Sequence, residues 1–325
     1  MIQDVSRIHS SPMSDSPGEW PALPLAAWKH SYATLHMWTQ IIGKIRLQQS
    51  SPVNHWWHVP LYVTARGLTT SPIPYRGQSY EISFDFLAHE LQIETSWGPR
   101  WVVELRPMSV AAFYRETMAA LNELGIIVQI WAVPVEVVDP IPFKRDEVHA
   151  SYDPDYTQRL WRIMLHTQRV FLSARGSFLG KSSPVHFFWG GFDLAVTRFS
   201  GRRAPEHPGV PSLPDFVTRE AYSHEVSSVG FWPGGNGVEE PVFYAYAYPE
   251  PAGFSDYPVE PKGAYYHHTL REFVLPYEIV RMSDAPEAVL MRFIESTYEA
   301  AANLAGWGRA SLERDMEAPT SRQGK

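Results

Sequence analysis

Apolar positions along the chain follow two different periods, and the change from one to the other outlines the secondary structure. Over residues 25–47 they recur at steps of three and four, which is the period of an amphipathic helix. A second helix is predicted over residues 109–124, with Ser109 as its N-cap and Gly125 after its end. Shorter runs rich in β-branched and aromatic residues predict strands at 56–64, 80–95, 101–105 and 126–138.

The second half of the chain repeats this order of elements. Helices are predicted over residues 155–175 and 286–304, with strands between them at 185–199, 224–232, 242–248 and 273–281. Short runs of sequence repeat as well. Ser-Ser-Pro-Val at Ser50 recurs at Ser182, His-Glu-Leu at His89 is matched by His-Glu-Val at His224, and a third match joins the two final helices.

Three matches in the same order predict an ancestral duplication. The fold class expected is α+β, with two diverged copies of a helix, antiparallel sheet and helix unit related by an approximate two-fold axis. We place the first copy at residues 21–145 and the second at 146–310, where a Pro-, Gly- and Tyr-rich stretch forms a long inserted loop. Residues 1–20 are predicted to be disordered and residues 311–325 to form a flexible tail.

Composition narrows the class of protein. With 44% hydrophobic residues in 325 positions the chain can bury a substantial core, and 28 basic against 35 acidic side chains leave a net charge of -7. No long basic run is present, so neither nucleic acid nor a membrane is expected as a partner, and a small molecule is. Without a signal pattern or a spanning apolar segment, the expected location is cytoplasmic. The lack of cysteine excludes disulfides, thiolate nucleophiles and Cys-ligated metals.

Four segments carry a resemblance to a known family, at residues 34–47, 54–75, 186–203 and 221–234. There, and across nearly all of residues 20–314, the chain resembles a family of uncharacterised bacterial proteins catalogued as domain of unknown function 5996. The resemblance implies no activity, because none is assigned to that family. It therefore transfers no catalytic residue to this sequence.

A loss of side-chain volume in the second copy predicts the place of a ligand site. Alternate residues of a strand share a face, so His224 lies with Gly230 and Trp232, whereas the first copy carries bulkier residues on the matching strand. Gly190 and Gly191 show the same loss on the neighbouring strand. Removing volume from a packed face leaves either a cavity or a compensating neighbour, and repacking by the inserted loop is the alternative.

Acid–base chemistry is the first interpretation of this region, because a histidine beside a carboxylate commonly exchanges protons in enzymes. We predict His224 as the acid–base group, with Asp193 or Glu225 as its partner. Burial beside an aromatic ring would raise the pKa of Asp193, whereas a surface position would leave Asp193 without a role. Ligand contacts are predicted for His186, Trp189, Arg198, Arg202, Tyr222 and Trp232.

Three functions stay open at this point. The first is a small-molecule enzyme, in which His224 is buried in a cleft within hydrogen-bond reach of a carboxylate. The second is a binding protein without chemistry, in which the aromatic rings stack on a ligand and the arginines hold an anionic group. The third is a structural or oligomeric module. No metal is assigned, because His55 and His58 fall on opposite faces of the predicted strand, and the sequence names no cofactor.

Overall fold

Helices and antiparallel sheets both contribute to the fold. The computed structural model describes residues 20–210, 213–235 and 237–315. Apart from Trp20, the predicted disordered segment lies outside these ranges, as does the predicted tail beyond residue 315. Within the ranges, the helices are α1 (Leu25–Gln49), α2 (Val110–Glu123), α3 (Pro154–Gly176), α4 (Asp215–Ala221), α5 (Tyr277–Arg281), α6 (Pro286–Leu304) and α7 (Arg309–Leu312).

The first sheet comes from the first half of the chain. Its strands are β1 (Tyr62–Val63), β2 (Gly67–Thr69), β3 (Ile73–Tyr75), β4 (Gln78–Asp85), β5 (Glu90–Thr95) and β6 (Arg100–Glu104). Their order is β1-β2-β4-β5-β6, with β3 also paired to β4, and every pairing is antiparallel. The predicted helix before the sheet is confirmed as α1. The predicted helix after it is confirmed as α2, whose first turn Ser109 caps by accepting the amide of Ala112.

The second sheet comes from the second half and carries the candidate site. Its strands are β7 (His186–Phe188), β8 (Asp193–Arg203), β9 (His224–Trp232), β10 (Val242–Tyr248), β11 (Tyr265–His267) and β12 (Glu272–Pro276). The order is β11-β12-β10-β9-β8-β7, again with antiparallel pairing throughout. The predicted class, α+β with antiparallel sheets, is therefore confirmed.

The two sheets meet at their edges. Leu61, just before β1, and Phe187 of β7 exchange two backbone hydrogen bonds of 2.9 Å each. An antiparallel bridge between edge strands is the arrangement that a two-fold axis through this joint would require. The halves are not identical in layout, however, because His89 precedes the fourth strand counted from the joint, whereas His224 begins the third. The duplication and its symmetry therefore remain a prediction.

Burial separates the two faces of the second sheet. Val196 and Val229 lie beside Ala174 of α3 and Ile294 of α6, so this face forms part of the hydrophobic core. The alternate side chains point away from α3 and α6, and we call that side of the second sheet the open face. Helix α1 and the irregular segment 126–142 approach the open face near β7 and β8.

Segment 126–138 was predicted to be a strand, and that prediction is wrong. Residues 126–138, all of them described, form no strand, because their backbone groups bond elsewhere. Val135 bonds to the side chain of Gln40 on α1, and Pro134 has no amide to donate to a sheet.

Among the described residues, none of the helices combines the length and apolar character needed to cross a bilayer.

Candidate functional site

The open face carries polar and aromatic side chains in neighbouring rows. Backbone pairing places Thr197 of β8 opposite Ser228 of β9, and Ser228 opposite Tyr246 of β10, so these three side chains share the face. The same alternation puts Asp193, Trp232, Tyr244 and Glu272 on this side. All four are half-buried, whereas Val196, Val229 and Phe231 on the opposite face are buried. The open face thus presents partly exposed polar and aromatic side chains.

Asp193 and Tyr244 form the centre of this face. The hydroxyl of Tyr244 donates a hydrogen bond to the Asp193 carboxylate, reaching from β10 across β9 to β8. The ring can lie there because β9 has Gly230 at the crossing point. A Cβ on Gly230 would lie 2.5 Å from Cε1 of Tyr244 and overlap its outer atoms. The cavity predicted beside Gly230 is therefore not present, since the ring of Tyr244 occupies that space.

Glu136 reaches the same region from the irregular segment 126–142. The side chain of Gln40 on α1 holds the backbone of Val135, accepting its amide at 2.9 Å and donating to its carbonyl at 2.8 Å. Glu136 follows with a positive φ of 57°, which turns its side chain toward the β7–β8 turn. A Cβ on Gly190 would collide with the Glu136 carboxylate. This glycine is thus needed for the close approach of Glu136.

The third carboxyl group and two more tyrosines complete the site. Glu272 begins β12, one residue before Phe273, which pairs with Ala245 of β10. The Tyr246 hydroxyl lies 2.9 Å from the hydroxyl of Tyr222, which follows the short helix α4. This pair links the sheet to the loop that borders it.

Burial and neighbouring charges shift the pKa values of these groups. Burial raises the pKa of Asp193 to about 6, partly offset by the hydrogen bond from Tyr244. Burial also raises the pKa of Glu136 to about 7 and that of Glu272 to about 8, and repulsion from Asp193 adds to both. The pKa of Tyr222 rises to about 12, mainly through burial, with contributions from all three carboxylates. Asp193 therefore lies near enough to Glu136 and to Glu272 to oppose their ionisation.

Among the residues that the structure describes, these carboxyl groups have no fixed counter-ion. None of the ion pairs between described residues includes Glu136, Asp193 or Glu272. No group of three or more His, Asp or Glu side chains in those ranges has the arrangement of a metal site.

Helix α1 forms the border nearest the β7–β8 turn. The Tyr32 hydroxyl donates to the carbonyl of Gly234 at 3.1 Å, and its ring lies 4.9 Å from that of Phe192, edge to face. Nε2 of His36 donates to the Gly190 carbonyl at 2.8 Å. Burial lowers the pKa of His36 to about 4, so this histidine is neutral and holds the turn in place.

Of the predicted site residues, Asp193, Tyr222 and Trp232 lie at the open face. Trp189 does not: its indole donates to the Val59 carbonyl at 2.8 Å, and its ring packs against Gly43 of α1. His186 points to this side but is fully buried beneath aromatic rings. Neither of its ring nitrogens has a partner in the described residues, and burial lowers its pKa to about 3.

The predicted pairing of His224 with a carboxylate does not occur in the structure. His224 pairs with Arg203 at the far end of β8, so the strand separates it from Asp193 by roughly 30 Å. Glu225 points to the opposite face and accepts hydrogen bonds from Arg202 at 2.9 Å and Ser200 at 2.8 Å. Strand direction is the physical reason, because the two residues begin antiparallel neighbours at opposite ends.

The two predicted arginines support the fold rather than a ligand. Arg198 is buried, donates to the Ala174 carbonyl at 2.8 Å and to Glu295 at 2.9 Å, and its guanidinium lies 4.4 Å from the centre of the Tyr298 ring. Arg202 bonds to Glu225 and to a carbonyl just after α6. Neither side chain is free to hold an anionic group.

Sequence reasoning missed four residues of this face: Glu136, Glu272, Tyr244 and Tyr246. The alternating tyrosines of β10, continued at Tyr248, were a usable signal, because regular polar rings on one side of a strand indicate a wetted face. Glu136 also stood out as a lone carboxylate in an apolar run. Nothing local connects these positions, however, since their meeting depends on strand register.

Comparison with known proteins gives a family and no activity. A family model described as "Family of unknown function (DUF5996)" matches residues 20–314. No curated protein matches the chain, and no solved structure does.

Proposed function

Because the chain belongs to the family of unknown function DUF5996, we propose its function from the structure: the open face of the second sheet binds a small organic cation, such as an amine or a quaternary ammonium compound. The carboxyl groups of Glu136, Asp193 and Glu272 hold its charge. Aromatic rings enclose its apolar part.

The observation that carries this proposal is the set of three sheltered carboxyl groups without a counter-ion among the described residues, two of which, Glu136 and Glu272, are repelled by the third. Burial opposes the ionisation of each group, and the charge of Asp193 opposes it further at Glu136 and Glu272. A bound cation would favour the ionised forms. Binding should therefore release protons and grow tighter as the pH rises from about 6 to 8.

The aromatic side chains support the same class of ligand. Tyr222, Tyr244, Tyr246 and Trp232 border the carboxyl groups, and tyrosine and tryptophan rings attract organic cations through their electron-rich faces. An anionic ligand, considered from the sequence, is disfavoured here. The arginines that would bind an anion are engaged with Glu295 and Glu225.

Calorimetry with a matched pair of probes tests the proposal. Choline carries the charge, and 3,3-dimethylbutan-1-ol has nearly the same shape without it. Choline should bind to the full chain in a saturable way and the alcohol should not. Glu136→Gln and Glu272→Gln should each weaken choline binding by about tenfold, the effect of one charged hydrogen-bonding group. Glu94→Gln, on an exposed part of the first sheet, is the control.

Equal binding of the two probes would show that charge is irrelevant and would refute the proposal. Unchanged choline affinity in both glutamine variants would do the same. If choline binds as expected, competition by a series of primary, tertiary and quaternary amines would define which ammonium group fits best.

An enzyme acting on such a cation is the second candidate. It is favoured by the spread of the carboxyl pKa values, about 6, 7 and 8, which allows one group to accept a proton while another donates one at neutral pH. Protein-dependent conversion of a compound in an amine-rich cell extract, lost in Asp193→Asn and kept in Glu94→Gln, would support it.

The cytoplasmic location, the internal duplication and the lack of nucleic-acid partners also remain predictions.

A further inference from the structure

A second polar cluster lies at the other end of β8 and β9 from the carboxyl groups. We call it the basic cluster: His55, Lys181, Arg203 and His224. We propose that the basic cluster binds an oxyanion, namely the phosphate or carboxylate group of a small molecule. This site is separate from the open-face carboxyl groups, and it does not depend on the proposed cation binding.

Lys181 is held in a defined position. Its Nζ lies 2.7 Å from Nε2 of His55, whose Nδ1 lies 3.2 Å from the carbonyl of Ala221. Since a carbonyl only accepts, Nδ1 carries the imidazole proton and Nε2 accepts from the ammonium group. The rings of Trp57 and Phe199 each lie 5.1 Å from Nζ. Lys181 as a residue is exposed, and two of its three ammonium hydrogens remain for a ligand.

The side chains of Arg203 and His224 lie beside this ammonium group. Arg203 is paired with His224 through the backbone, and the His224 ring lies 5.7 Å from that of His55. Nδ1 of His224 is 3.1 Å from the hydroxyl of Ser223, while its Nε2 has no partner in the described part of the chain. Burial lowers the pKa of His224, and the charges of Arg203 and Lys181 lower it further, which shows that the three groups share one field.

In the described part of the chain, no carboxylate forms an ion pair with the charged members of this cluster. Within the described ranges, neither Lys181 nor Arg203 takes part in an ion pair. Glu225 is next to His224 in sequence but points to the other face and pairs with Arg202. In a chain of net charge -7, an uncompensated basic group beside aromatic walls is a suitable receptor for an oxyanion.

The backbone that delivers His55 is strained. His55 and Trp56 have consecutive φ values of 59° and 61°, in the left-handed region that residues with a Cβ avoid. Strained positions of this kind are retained where the surrounding structure enforces them, often at ligand sites. Here the left-handed conformation occurs at His55, whose ring nitrogen contacts the Lys181 ammonium group.

Titration of the full chain with inorganic phosphate, followed by calorimetry, tests the proposal. We expect saturable binding that Lys181→Met weakens by about tenfold or more, since it removes a charged donor. Arg203→Gln should weaken it as well. Arg100→Gln changes an exposed arginine of the first sheet and should leave phosphate affinity unchanged. Acetate, titrated in parallel, shows whether a carboxylate is accepted.

Two results would overturn the proposal. One is the absence of saturable binding of both phosphate and acetate to folded protein. The other is unchanged phosphate affinity in Lys181→Met and Arg203→Gln. Circular dichroism checks the fold of each variant. If Lys181→Met does not fold, the phosphate affinity of Arg203→Gln, a change at an exposed residue, tests the proposal. Choline binding should be unaffected by either variant, which separates this site from the carboxyl groups.

Discussion

Gly230→Ala is the sharpest test of how the open face is built. Ordinary contact between two carbon atoms needs about 3.5 Å, whereas the added Cβ would lie 2.5 Å from Cε1 of Tyr244 and nearer to its outer atoms. The ring must therefore retreat by at least about 1 Å. A shift of that size breaks the hydrogen bond from Tyr244 to Asp193.

The expected cost follows from these steps. Losing a hydrogen bond to a charged group costs about 1.5–3 kcal/mol, and forcing the ring from its preferred rotamer adds about 1 kcal/mol. Replacing glycine by alanine restrains the unfolded chain and offsets about 0.5–1 kcal/mol. Gly230→Ala should thus lower the free energy of unfolding by about 2 kcal/mol at neutral pH.

Urea denaturation measures the free energy of unfolding, and carbon-detected NMR measures the pKa of Asp193. The pKa of Asp193 should rise above about 6 in Gly230→Ala, because the hydrogen bond from Tyr244 normally lowers it. Adding Tyr244→Ala removes the ring, so Gly230→Ala should cost almost nothing in that background. Gly176→Ala, where a Cβ meets open space, is the matched control.

Two outcomes would refute this reasoning. In the first, Gly230→Ala is as stable as the wild type and the pKa of Asp193 does not change. In the second, the substitution costs the same with and without the ring of Tyr244, so the collision is not its cause.

Three further predictions concern pH, an ion pair and a helix contact. Burial keeps the folded pKa of Glu272 at about 8, above its ordinary value, so the folded protein retains a proton that the unfolded chain has lost. As pH rises from about 5 to 8, the free energy of unfolding of the wild type should therefore fall relative to that of Glu272→Gln. Urea titrations should show a fall of at least about 1 kcal/mol. A difference between the two proteins that does not depend on pH would contradict this. Arg198→Ala removes the bond to Glu295 and should lower the free energy of unfolding by about 2–3 kcal/mol without changing choline affinity; weakened choline binding would instead assign Arg198 to the ligand. Gly43→Ala places a Cβ inside the ring of Trp189 and should lower the midpoint of thermal unfolding, at a cost of about 1–3 kcal/mol; an unchanged midpoint would mean that the ring is free to move.

The sequence by itself determined most of the helices and several strands. The helix predicted over 286–304 and the strands predicted over 224–232 and 242–248 have those limits in the structure. Such elements are set by the local period of apolar residues, which the sequence displays directly. The prediction failed at 126–138, where the bonding partner is the side chain of Gln40, far away along the chain.

Only the tertiary structure decided which polar side chains meet. The sequence paired His224 with Asp193, yet antiparallel strands that begin at opposite ends keep those side chains apart. The same register brings Asp193 together with Tyr244, and a loop held by α1 adds Glu136. The charge environment of each carboxyl group depends on these distant neighbours, and local periodicity carries no information about them.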